Sequence, residues 1–396
     1  MKVKKIASIL LAGTLTMSCV GCGSKGESAN DSDTIVIGAI QDLSGGAATA
    51  GKAMDRGSEI AIEEINANGG LNGKKVKYVC YDTKGDPQEA MNAYTRLVEQ
   101  DKACAVIGPP ISNVGLAIKS LANDKKVPII GAYIDSRVTE KEDGTPEDYM
   151  FLVQPTNEQS AEIQASYLVD KLGVKKVALF YDQSNAFGVS QVKGFKDYIE
   201  SHGGEIVSEQ VFKSGDKDFK TQLTKIKESG AEAIFAPNYP QDNVLYVNQL
   251  DQLGMSDLVT MGGLDFAPPF LSTLPDATKA NNIYFALNCA FDEPQLQDIN
   301  KKYLEKYTDA KTVDDISVKA YLGYDAVSLV AEAIKNSSEI SGPAVKESLE
   351  NIKGLECKTG TIGFSKDSHQ PQGLSMVMYL IDKGENKNLG RYVVPQ

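Results

Sequence analysis

Residues able to make or break bonds are few in this 396-residue chain. It holds two histidines, His202 in SHGGE and His369 in KDSHQP, and both polar, turn-forming settings read as solvated loops rather than as a general base or a metal ligand. Four cysteines lie beyond the first 22 residues (Cys80, Cys104, Cys289 and Cys357), too widely spaced for a metal-ligand pattern. There is no Gly-x-Ser-x-Gly elbow and no phosphate-loop Gly-Lys-Ser/Thr, and the glycines of LSGGAATAGKAMDRG (43–57) lack dinucleotide spacing. With no nucleophile–base pair to name, an enzyme is not expected, and neither a metal nor a cofactor is implied. What remains is recognition chemistry at the ends of strands. In VIGPPISNVG (106–115) a short apolar strand runs into Gly108, two prolines stiffen the turn, and Ser112 opens a helix. Unpaired backbone N–H groups and the positive end of the helix dipole attract a carboxylate at such a place. The alternative is that Ser112 serves only as the helix N-cap.

The elements that must position this turn alternate strand and helix from Thr34 onward. TIVIGAI (34–40) is an apolar, β-branched run of the kind found in strands buried on both faces. A helix over 52–67 follows, with Gly57, Ala61 and Ile65 on one face and a stop at Asn68-Gly69-Gly70. KVKYVCYD (75–82) predicts a strand, and 86–100 a helix with Asp86 as N-cap and Pro87 at its first position. CAVIG, a helix over 112–124 and VPIIGA (127–132) complete a first series. A second begins near Gln154-Pro155, with helices over 157–172, 186–202, 218–229 and 241–253. Its strands are placed at 175–182, 204–212, 231–237 and 258–263. The tail adds a strand (282–287), helices over 316–336 and 343–351, and two late strands (358–364, 374–381). Two such series imply two α/β lobes with parallel sheets and right-handed crossovers. Cys80 and Cys104 fall on strands that flank the first. Two inter-strand steps of about 9.6 Å exceed disulfide reach, so free thiols acting as small core residues are expected.

The first 22 residues stand apart. Lys2, Lys4 and Lys5 precede an apolar run from Ile6 to Met17, which is too short to span a bilayer and reads as a secretion signal. SCVGC (18–22) resembles a bacterial lipobox, with Cys22 the better candidate for lipidation and Cys19 the second; a plain signal peptide is the remaining alternative. Residues 23–33 are polar and Gly/Ser-rich, as a flexible tether would be. The chain carries a formal charge of −12, about −15 once residues 1–22 are removed. No basic patch interleaved with aromatics is present, so nucleic acid is not an expected partner. Membrane contact is expected through a lipid anchor alone.

Several stretches together resemble the Leu/Ile/Val-binding type of solute-binding protein that serves ABC importers. They are residues 35–90 (IVIGAIQDLSGG onward through INANGG), VIGPPIS (106–112), YDQSNAFGVSQVKGFKDYIESHGGEIV (181–207), GDKDFKTQLTKIKESGAEAIF (215–235), GYDAVSLVAEAI (323–334) and TGTIGFSKD (359–367). The resemblance implies a type I periplasmic-binding-protein fold, in which two Rossmann-like lobes joined by a three-strand hinge close on a small ligand. By alignment the crossings fall near Gln154, Asn288 and Lys366. One lobe is then 34–153 plus 289–366, and the other 154–288 plus 367–396. The family's carboxylate-binding serine maps onto Ser112, with the Asn113 amide beside it. Where the family has Ser-Ala-Thr-Asn-Pro after the next strand, this chain has Ala132-Tyr133-Ile134-Asp135-Ser136, so Ile134 replaces a threonine hydroxyl and Tyr133 and Asp135 are candidates for a new polar edge. The aromatic of the first loop becomes Ala50, a ligand-facing tyrosine becomes Phe187, and Tyr239 is retained at the next strand end. Asp265, the one carboxylate just after MGG, is assigned to the ligand ammonium, since a buried cation left unpaired costs several kcal/mol; the alternative is a helix-cap or turn residue, and for Phe187 and Tyr239 the alternative is interlobe packing. The implied function is an extracytoplasmic, lipid-anchored, monomeric protein delivering an amino acid or similar small carboxylate to ABC permease subunits. The alternative is a sensor that uses the same clamp to signal to a membrane receptor. Ile134 and Ala50 argue against strict Leu/Ile/Val specificity.

Overall fold

The computed structural model describes residues 34–395 except 214 and 374. The expected secretion signal (1–22) and tether (23–33), with both lipidation candidates, lie outside the described residues.

In the first lobe, β1 (Thr34–Gln41), α1 (Ala48–Ala67), β2 (Lys75–Asp82), α2 (Pro87–Glu99), β3 (Ala105–Ile107), α3 (Ser112–Lys125), β4 (Ile129–Gly131) and β5 (Met150–Leu152) follow one another. The five strands form one parallel sheet in the order β2-β1-β3-β4-β5. Helix α2 starts as its sequence dictates, with Asp86 accepting from the Glu89 N–H and Pro87 in the first turn. Buried side chains cover both faces of the sheet, Ile37, Ile107 and Phe151 on one and Ile40, Val106 and Ile129 on the other.

The second lobe takes α4 (Asn157–Ser166), β6 (Lys176–Asp182), α5 (Ala186–Ser201), β7 (Glu205–Phe212), α6 (Lys220–Glu228), β8 (Ala233–Phe235), α7 (Pro240–Gln252), β9 (Val259–Gly262), α8 (Phe270–Thr273) and β10 (Ile283–Leu287). Helix α4 opens with a reciprocal capping box between Thr156 and Gln159. The chain then returns to the first lobe for α9 (Gln297–Lys306), α10 (Val318–Asn336), α11 (Gly342–Glu350) and an antiparallel sheet of β11 (Leu355–Cys357), β12 (Gly360–Ser365) and β13 (Ser368–Gln372). It ends in the second lobe with β14 (Ser375–Asp382) and β15 (Glu385–Val393), which extend that lobe's sheet to β15-β14-β10-β9-β8-β6-β7, both in antiparallel fashion. Helix α10 lies so close to α1 that a Cβ on Gly57 would stand 1.8 Å from the Ala320 carbonyl oxygen, and one on Gly323 2.0 Å from that of Met54. Cys80, Cys104, Cys289 and Cys357 are free thiols.

Two features differ from the sequence reading. The polar stretch KDSHQP is not a solvated turn: it carries β13, and His369 is buried, stacked 3.9 Å from Phe151 and 3.0 Å from the Glu350 carboxylate. Its polar partners explain the misreading, because a buried strand of paired polar residues has the composition of a loop. Since β13 pairs with β12, the third crossing follows Gln372 rather than Lys366. Helices α8 and α9 and strands β5, β11, β13 and β15 add to the elements expected from the sequence. His202 is exposed, with its ring stacked on Tyr198.

Candidate functional site

Each parallel sheet reverses its strand order beside its first strand, between β1 and β3 in one lobe and between β6 and β8 in the other. Ligands of open α/β sheets bind outside the carboxyl ends of the strands at such a reversal. The loops there enclose a cavity of about 320 Å³ between the lobes, within the range of small-molecule pockets. The first lobe contributes Ser112, Ile134, Asp135, Ser136 and Arg137, and the second Asn157, Glu158, Phe187 and Ser190.

On the first-lobe wall, Ile111 occupies the N-cap position of α3 and Ser112 is the first helical residue. Ser112 is thus not the N-cap. Its Oγ accepts from the Ile134 N–H at 3.3 Å, which joins the end of β4 to the helix start. The N–H groups of Ser112 and Asn113 have no protein acceptor among the described residues, whereas Val114 and Gly115 already bond to the Ile111 carbonyl. Asn113 is exposed. The wall therefore offers an anion two free amides and a hydroxyl at the positive end of a 14-residue helix.

Asp135 lines the cavity, and its carboxylate is engaged: it accepts from the Arg137 backbone N–H and pairs with the Arg137 guanidinium at 2.6 Å and 2.9 Å. The guanidinium holds this carboxyl below its usual range. Tyr133 requires a correction. Its ring is fully buried in the first-lobe core, in space kept open by Gly108, Gly115 and Gly131, where any Cβ would meet it. Ile134, the next residue, lines the cavity, and Tyr133 does not.

The second-lobe wall is aromatic and polar. Asn185 caps α5 and sets Phe187 in its first turn, where the ring stacks on Tyr239 at 5.9 Å and 13°. Asn238, just before Tyr239, is wholly buried and ties β8 to β6 through the Asp182 N–H and the Phe180 carbonyl. Ile134, Val189, Tyr239 and Leu264 are exposed, four of the seven large hydrophobics with that property among the described residues, and all stand at strand ends or in the first turn beyond one. Asp265 lies in a 3-10 turn after β9 and caps nothing. It is buried, its Oδ2 has no partner, and burial pushes its pKa up to about 7. Gln164 and Gln191 are buried near it: Asp265 Oδ2, Gln191 Oε1 and Gln164 Nε2 all lie 3.6–3.8 Å from where a Cβ on Gly263 would be. Gln164 Oε1, Gln191 Nε2 and Glu158 Oε2 are further buried atoms without partners.

Arg137, Asn157, Glu158 and Ser190 were not singled out in the sequence. Asn157 bridges the lobes directly, its N–H donating to the Ile134 carbonyl at 2.9 Å and its amide to Ser190 at 3.0 Å. Asn157 and Glu158 directly follow the capping-box threonine of α4, a helix-start signal that was available in TNEQ. Among the described residues no group of three or more His, Cys, Asp or Glu could hold a metal ion.

Residues 34–385 match a family model described as periplasmic binding protein. A curated relative, Leu/Ile/Val-binding protein homolog 3 of Brucella melitensis, is 26% identical over 371 residues, covering 92% of this chain and 94% of the relative. The branched-chain amino acid transporter substrate-binding protein LivJ of Streptococcus pneumoniae, solved in complex with isoleucine, is 32% identical with a TM-score of 0.66, over 91% of this chain and 99% of the other. An ABC transporter substrate-binding protein of Sphaerobacter thermophilus, 23% identical, shares the fold with a TM-score of 0.72, over 91% and 98% of the two chains.

Proposed function

The chain belongs to the periplasmic binding protein family, and from that premise we propose that it captures an amino acid or a similar small carboxylate between its lobes and delivers it to an ABC permease. The observation that carries this reading is the interlobe cavity with two free helix amides and Ser112 on one wall. Ser112 and the Asn113 amide take the carboxylate. Asp265 takes the ammonium, for which its unpartnered, buried oxygen is suited. Phe187 and Tyr239 flank the body of the ligand as a stacked pair. The Streptococcus pneumoniae neighbour LivJ is a transporter substrate-binding protein, which favours delivery to a permease over signalling to a receptor. Residues 1–22 direct export, and Cys22 carries the lipid that holds the protein outside the cell.

Ile134 sets the ligand range. It presents a branched apolar side chain and only its backbone N–H, already bonded to Ser112, where a hydroxyl would serve a zwitterion. A thermal-shift panel of the proteinogenic amino acids and small aliphatic and aromatic carboxylates tests the function. A true ligand at a hundredfold excess over Kd stabilises the protein by about 2.7 kcal/mol. Absence of any shift across the panel would remove the small-carboxylate reading.

A further inference from the structure

Lys319 stands in the first turn of α10, beside the crossing residues Gln154 and Asn288 and outside the nine residues that line the cavity, and no residue assigned above uses it. Its Nζ lies 3.4 Å from Gln154 Oε1, and that oxygen already accepts from Asn288 Nδ2 at 3.0 Å. Gln154 and Asn288 begin the first and second crossings between the lobes. Gln154 also donates to the Ala132 carbonyl at 2.6 Å, two residues before Ile134 enters the cavity wall. The ammonium therefore sits where two crossing segments meet the carboxyl end of β4. No carboxylate lies within ion-pair distance of it among the described residues, although the chain is strongly acidic. Burial alone draws its pKa down to about 8, with no anion opposing that shift. A half-buried cation offered one shared amide oxygen is a poor structural element, because desolvation is not repaid by a partner.

We propose that Lys319 is a second anion-binding group of the interlobe site, and that the ligand is an amino dicarboxylate whose distal carboxylate reaches the hinge. The inference rests on the proposed capture of an amino acid between the lobes and specifies which class. One carboxylate meets the free amides at α3, the ammonium meets Asp265, and the second carboxylate neutralises Lys319. The apolar side chains at the strand ends pack against the methylenes between the charged groups.

The test uses the purified protein at pH 7.4 with L-aspartate, L-glutamate and L-2-aminoadipate as probes, and L-glutamine, L-leucine and L-isoleucine as neutral comparisons. Calorimetry is expected to give at least one dicarboxylate a Kd tenfold to a hundredfold below that of its neutral counterparts, and Lys319→Met is expected to abolish the difference. Without ligand, Lys319→Met is expected to melt no lower than the wild type, since it removes an unpaired, desolvated charge; Lys319→Gln is a second variant for the same reading. Neutral amino acids binding as well as dicarboxylates, a ratio unchanged in Lys319→Met, or ligand-free variants that both melt lower would each overturn the inference while leaving amino-acid capture standing. No binding by any probe would overturn the inference, and the wider thermal-shift panel would then decide separately whether small-carboxylate capture stands.

Discussion

At the scale of single residues, several buried polar atoms are left without partners; of these Glu158 lines the cavity, while Asp265, Gln164 and Gln191 lie outside its lining. A buried polar atom normally finds a hydrogen bond, so each exception invites an explanation. Asp265 is the sharpest, and its raised pKa makes two signed predictions. Its folded value is about 7 against an ordinary 3.8. The folded protein thus holds a proton that the unfolded chain loses first, and stability falls as pH rises from 3.8 towards 7. Asp265→Asn should accordingly melt higher than the wild type at pH 8, with the difference gone below about pH 4. Binding runs the other way. An ammonium ligand needs the ionised carboxylate, so its affinity should drop by about tenfold for each pH unit below about 7, read by calorimetry between pH 5 and 8. An equal slope in Asp265→Asn would take that residue out of the ligand's reach.

At the scale of elements, legibility followed how local each signal was. Asp86-Pro87 at the start of α2 and the Gly57, Ala61, Ile65 face of α1 needed only their own neighbours and could be read directly. The approach of α1 to α10 explains why Gly57 is glycine. Gly57→Ala would drive a methyl into the Ala320 carbonyl and should cost about 1–3 kcal/mol or more, seen as a lowered urea midpoint with the helix content of the folded state kept. The GPPIS turn was legible as a helix start with free amides because that feature is carried by the backbone. Arg137, Glu158, Ser190 and the Gln164–Gln191 pair were not, because their roles arise where α4, α5 and the loop after β4 come together, far apart in sequence. Tyr133 was misplaced for a related reason: the space for its ring is made by three glycines on β4, α3 and the turn after β3. β13 is hard to see in the sequence because two of its buried residues, His369 and Gln370, are polar and find their partners across the fold, on Glu350 and Glu140.

At the scale of the whole molecule, the question is how a protein with a formal charge of −12, or about −15 if residues 1–22 are removed as proposed, stays near its permease. Its surface would not seek an anionic membrane, and among the described residues no helix is long and apolar enough to cross one. The proposed anchor answers this through chain length. Eleven residues, 23–33, separate Cys22 from the first strand. Fully extended they span at most about 40 Å, which confines the binding protein to a thin layer above the membrane. Confinement raises the effective concentration of loaded protein at the permease without altering any contact with the ligand. Anchor and binding site should therefore separate cleanly in experiment. Cys22→Ala should abolish labelling by a radiolabelled fatty acid and release the protein from the membrane fraction, and ligand uptake at low external concentration should fall while the Kd of the purified protein stays unchanged. Labelling that persists in Cys22→Ala but disappears in Cys19→Ala would move the anchor to Cys19. A variant that is fully released yet imports ligand at the wild-type rate would show that tethering contributes nothing to delivery.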